Sequence, residues 1–191
     1  MNGVRWLIED CDGYCLLLAR GLDIYQLVAR LGGDPNSIFP SMNAGDAFEK
    51  SMDEAPVARL GVCGDWVYSL EHWSAEGIDD DVMKRVSDGT ECVAVLNSDT
   101  PPVWLAHYVN GQGVAYFEPA MADQVAEGPA EPSYASQRVA IDLIDAGVVN
   151  GTFEGNSEEL LLRLVERNFG IDLSNIQFDQ NTFPAVSLGL A

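Results

Sequence analysis

Two β-hairpin signals lie between residues 56 and 119, and they constrain the fold more than any other feature of the chain. In the first, Val57, Arg59, Gly61 and Cys63 alternate with Ala58, Leu60 and Val62; Gly64-Asp65 turns the chain and residues 66–70 return. In the second, residues 103–109 meet Asn110-Gly111 and residues 114–117 return. Asn-Gly readily supplies the left-handed backbone that a two-residue antiparallel turn demands. Residues 91–97 form a further strand between the hairpins. Residues 14–20, apolar and closed by Gly21, read as a buried strand. The expected fold class is α+β: an antiparallel sheet of about five or six strands with helices packed on at least one face. Successive side chains of a strand point to opposite faces. Arg59 then puts its own face toward water and turns Ala58, Leu60 and Val62 inward, while Trp66, Tyr68 and Leu70 share a face. The chain leaves the returning strand at residues 71–74.

Helix signals surround these strands. Asp23, with Gln26 three residues on, forms an Asp version of the capping box, and Ile24, Leu27, Val28 and Leu31 make one apolar stripe ended by Gly32-Gly33. Residues 44–52 fit a short helix or an ordered loop equally well. Asp79 caps a helix whose first turn holds Asp80 and Asp81 and whose far end holds Lys84 and Arg85, matching the helix dipole. Residues 134–146 and 157–168 close the set; in the second, Asn156 and Glu159 form a cap pair and Glu159 and Arg163 stand one turn apart. A short helix packed by Trp6 is expected near the start.

Hydrophobic residues make up 47% of the 191, enough to bury one full core. One globular domain is expected over residues 1–191, with its core at 14–170, a surface loop at 120–133 and a packed tail at 171–191 that includes Phe178 and Phe183. Thirty acids face ten bases, a net charge of −20 spread along the chain. That charge repels nucleic acid and anionic membrane and attracts a basic protein partner. Residues 1–13 include Arg5, Glu9, Asp10 and Asp12 rather than an apolar signal core, and no apolar run approaches the roughly 20 residues of a membrane helix. A cytoplasmic protein with reduced thiols is expected.

Residues 14–22, YCLLLARGL, followed by a helix ending Arg30-Leu31-Gly32-Gly33, resemble the opening of an actinobacterial domain family of unknown function. The resemblance continues through Gly64-Asp65-Trp66 with Glu71 and Trp73, Val86-Ser87-Asp88-Gly89-Thr90, and Phe117-Glu118-Pro119, spanning residues 14 to 170. It implies no activity and therefore assigns no functional residue.

Candidate chemistry is sparse. Cys11 and Cys15 come nearest to half of a zinc site, but Cys63 and Cys92 are isolated and neither histidine completes a second pair, so the cysteines read as small buried hydrophobes. Asp10 and Asp12 lack the rest of a calcium loop. Asp79, Asp80 and Asp81 could meet a divalent cation, although a helix start explains all three. His72 beside Glu71 could serve acid–base chemistry, but neighbours in a strand face opposite ways. His107 reads as packed. No nucleophile elbow, phosphate loop or dinucleotide fingerprint occurs. Trp66, His72 and Trp73 read either as an aromatic contact patch or as core. Trp66, Glu71, His72, Trp73, Asp80 and Asp81 are thus the candidate binding residues, with no catalytic residue, metal or cofactor expected. The functional expectation is a non-enzymatic acidic binding protein, immunity- or antitoxin-like, for a basic partner. The alternative is a small enzyme or small-ligand-binding domain with a histidine-containing pocket. A DNA mimic would need acids spaced like phosphates along one face.

Overall fold

A computed structural model describes residues 7–8, 13–98, 103–117, 134–147, 154–172 and 182–189. Among the described residues eight antiparallel strands form one sheet: β1 (Tyr14–Arg20), β2 (Phe39–Met42), β3 (Val57–Cys63), β4 (Trp66–His72), β5 (Glu91–Asn97), β6 (Val103–Val109), β7 (Gln112–Phe117) and β8 (Phe183–Ser187). Their order across the sheet is β2-β8-β3-β4-β1-β5-β6-β7. The helices are α1 (Ile24–Leu31), α2 (Ala44–Asp53), α3 (Asp80–Val86), α4 (Tyr134–Asp145) and α5 (Ser157–Phe169).

Both hairpins form as the turn residues require. Asn110 and Gly111 adopt φ of 51° and 74°, the left-handed pair that reverses β6 into β7. The run of apolar residues in β1 is explained by its place between β4 and β5, where both faces are covered. One face packs Leu16, Leu18, Tyr68, Leu70, Val93 and Leu105 against Val139 and Leu143 of α4 and Leu161, Leu164 and Val165 of α5. The other packs Leu17, Leu60, Val67 and Ala94 against Leu27, Val28 and Leu31 of α1 and Val82, Met83 and Val86 of α3. Helices therefore cover both faces. Asp23 caps α1 with both hydrogen bonds of the capping box in place, and residues 44–53 are helix α2, capped by Asn43. Asn156 accepts from the backbone N–H groups of Glu158 and Glu159 to start α5.

Three expectations need correction. The sheet has eight strands rather than five or six: β2 is a short edge interrupted by Pro40, and β8 enters from the far end of the chain to pair β3 with β2. Proline and small residues hide a strand from pattern reading, and the pairing is set by tertiary contact. Arg59 is fully buried while Val62 is 63% exposed, so the face of β3 assigned to water is an interior one. A hydrogen bond to buried His72 and the Phe183 ring help to hold the guanidinium there. Finally, β4 continues through Glu71 and His72. The expected helix near Trp6 and the loop at 120–133 lie outside the described residues apart from Leu7 and Ile8, which are helical.

Candidate functional site

The antiparallel register gathers several strand ends at one edge of the sheet. Tyr14 at the start of β1 faces both His72 at the end of β4 and Asn97 at the end of β5, and Leu96 faces Trp104 at the start of β6. Past these ends opens a cleft of about 420 Å³, lined by Gly13, Tyr14, Trp73, Ser74, Ala75, Ile78, Leu96, Asn97, Ser98 and Trp104. That volume lies within the range of small-ligand pockets. Its wall is mainly aromatic and aliphatic, with a few polar groups.

Trp73 is its most unusual member. Its φ is 55°, in the left-handed region where a bulky side chain costs about 1–2 kcal/mol, and the residue is 54% exposed. Its backbone N–H donates to the Gly13 carbonyl at 3.1 Å. The indole lies so close to Gly13 that a Cβ there would meet ring carbons at 3.5 Å. On the opposite wall Trp104 packs edge-on to Tyr116, with ring centroids 5.2 Å apart. The buried Trp104 indole N–H has no acceptor among the described residues. Behind Tyr14 and Asn97 stands Glu158 in the first turn of α5. It accepts from the Tyr14 hydroxyl at 2.8 Å and from Asn97 Nδ2 at 3.1 Å. No base stands beside it among the described residues, and partial burial holds its carboxyl above the usual range.

The floor beneath Ser74 is fixed by Glu71. This fully buried carboxylate accepts from the backbone N–H of Glu76 at 3.0 Å, from that of Gly77 at 2.7 Å, and from the Ser74 hydroxyl. A Cβ at position 77 would stand 2.8 Å from Glu71 Oε1, so a side chain there would force the carboxylate to shift. Burial pushes the Glu71 carboxyl up to about 7. The same burial, with Glu71 nearby, pushes the Cys15 thiol well above its ordinary value.

His72 points to the other face, back to back with Glu71. Its Nε2 lies 2.8 Å from Arg59 Nη2. A guanidinium has no acceptor, so Nε2 must carry the lone pair and the neutral ring holds its proton on Nδ1. Burial, and then the Arg59 charge, lower His72 to about 4. His107 is fully buried, edge-on to Phe169 at 4.9 Å between centroids. Glu91 Oε2 stands 3.4 Å from His107 Nε2. His107, followed by Arg20, holds the Glu91 carboxyl below its usual range.

The six candidate binding residues therefore separate. Trp66 is 2% exposed, with Phe169 edge-on at 6.2 Å and Arg20 over its ring, at the opposite end of β4 from Trp73. His72 is buried with Arg59. Glu71 supports the loop of residues 74–77. Only Trp73 lines the cleft. Asp80 and Asp81 begin α3, where Asp80 pairs with Lys84 and accepts from the Tyr108 hydroxyl at 2.5 Å. Among the described residues no group of three His, Cys, Asp or Glu side chains could hold a metal ion. Cys15, Cys63 and Cys92 are free and buried, and Cys11 lies outside the described residues. The cleft members not singled out from sequence, Asn97, Ser98 and Trp104 above all, come together only through the β1–β5–β6 register.

Fold and cleft together define a three-layer α+β protein with an aromatic-walled cleft at one end of its sheet. Residues 5–188 match a family of unknown function, DUF6461, and the chain belongs to that family. No curated protein and no solved structure matches it. No helix among the described residues is long and apolar enough to cross a membrane.

Proposed function

We propose that this is a non-enzymatic acidic binding protein of the cytoplasm that recognises a basic protein partner, as an immunity protein or antitoxin does. The observation that carries this reading is the fate of the bases. Nine of the ten are described, and each has an internal partner. Arg20 meets Glu91, Lys50 meets Glu54, Lys84 meets Asp80, and Arg163 meets Glu159; Arg138 and Arg167 both meet Asp142. Arg59 is buried on His72, Arg30 donates to the carbonyls of Val86 and Asp88, and Arg85 donates to the Arg30 carbonyl. Glu49, Asp53, Asp65, Asp145 and Glu154 are exposed and in no ion pair with a base among the described residues. Unopposed surface carboxylates speed capture of a basic partner and do so less as salt rises. A source among the actinobacteria fits the low lysine content, two of 191 residues.

Pull-down from an extract of the source organism at low and at high salt tests the reading. Retention of a basic protein at low salt, and its loss at high salt, is expected. No retained partner even at low salt would contradict it. The cleft favours a second reading, a small enzyme or small-ligand-binding domain. Neither His72 nor His107 lines that cleft, so histidine-based chemistry there has less support.

A further inference from the structure

The cleft has a chemistry of its own. Two tryptophans and a tyrosine line it, no base does, and Glu158 stands behind two of its members with no cation beside it among the described residues. Among the described residues an anion would meet no positive group in this wall, and it would meet the field of a chain carrying −20. A cation would meet indole faces, whose negative π-clouds attract it, and a carboxylate in a partly dry setting. Trp73 is held by its backbone bond to Gly13 in a conformation that bulky residues avoid, yet the residue remains more than half exposed. Strain of this kind persists where surrounding structure fixes a side chain for a contact.

We propose that this cleft takes an organic monovalent cation, the guanidinium or ammonium group of an arginine or lysine side chain of the basic partner. Trp73 and Trp104 supply cation–π contact and Glu158 the counter-charge. The source of the cation rests on the function proposed above; the preference of the cleft for a cation does not.

The test titrates the full chain with Nα-acetyl-arginine amide and Nα-acetyl-lysine amide, following indole fluorescence, with neutral Nα-acetyl-glutamine amide as control. Saturable binding of a cationic amide and none of the neutral one is expected. Trp73→Gly removes the indole and suits the left-handed backbone; it should weaken binding by roughly fivefold or more. Glu158→Gln keeps an acceptor for Tyr14 and Asn97 and should weaken binding by about threefold or more. Circular dichroism shows whether each variant is folded, and a two-dimensional amide spectrum of the parent with either cation locates the binding independently of them. Equal binding of the glutamine amide, no saturable change with either cation, or shifts remote from residues 13, 73 and 97 would overturn the proposal. The pull-down separates the two ideas. A partner held equally well by Trp73→Gly removes the cleft from recognition and leaves the function standing. No partner at all, with arginine amide still bound, does the reverse.

Discussion

Two buried ionisable residues sit back to back on β4 and respond to pH in opposite directions. Glu71 holds its proton more tightly folded than unfolded, about 7 against 4.5. Its contribution to stability is complete below pH 4.5 and is lost as pH rises toward 7, in all about 3 kcal/mol. His72 is lowered from 6.5 to about 4, so its contribution is complete above pH 6.5 and is lost as pH falls toward 4, again about 3 kcal/mol. His72→Asn keeps an amide oxygen that can accept from Arg59 and removes the titration. Urea denaturation across this range should show the variant gaining on the parent by about 3 kcal/mol as pH falls from 6.5 to 4. A difference constant with pH would show that His72 is not buried as a neutral ring. Arg59→Met should cost about 2–3 kcal/mol in the same measurement at neutral pH, because the His72 acceptor loses a charged donor. Sequence reading put Arg59 in water because a lone arginine in a strand usually stands there. Its partner His72 lies across the hairpin, thirteen residues on, and the Phe183 ring of β8 lies 5.9 Å from the guanidinium, contacts that no local pattern announces.

At the scale of elements, the parts legible from sequence are those specified locally. The cap of α1, the dipole-matched ends of α3 and the Asn110-Gly111 turn depend on residues within a few positions of one another. β2 and β8 were not legible, because Pro40 and Pro184 interrupt their patterns and their pairing partners are distant in the chain. Two element contacts can be tested. Gly61 faces Tyr68 across the first hairpin, and a Cβ there would fall 2.2 Å from the Tyr68 hydroxyl oxygen, with the ring itself at 2.3 Å. Gly61→Ala should therefore displace the ring and destabilise the chain by about 1–3 kcal/mol, read as a lower denaturation midpoint with an unchanged slope. An unaltered midpoint would mean that the ring does not cross β3 there. Arg30 ties α1 to α3 by donating to the Val86 and Asp88 carbonyls at 2.8 and 2.7 Å. Both bonds come from Nη1, so Arg30→Ala should cost about 1–2 kcal/mol, with Arg30→Lys restoring only part because the ammonium lacks the rigid planar group that holds Nη1 over both carbonyls. Full restoration by lysine would assign the effect to charge alone.

For the whole molecule, α+β class and helices around an antiparallel sheet follow from the hairpins, while the cleft follows from strand order, which no local pattern carries. Tyr14, Trp73, Asn97 and Trp104 are neighbours only because β1 lies between β4 and β5, with β6 beyond. Charge also acts at this scale. With −20 on one chain and its nine described bases turned to internal partners, self-repulsion opposes the compact state. Thermal unfolding should shift upward as sodium chloride is added, since screening relieves that repulsion. The measurement that bears most directly on function is calorimetric titration of the captured basic protein into this chain at increasing salt. Affinity falling steeply with salt is expected, lower for Trp73→Gly at every salt concentration. An affinity indifferent to salt would contradict recognition through the acidic surface.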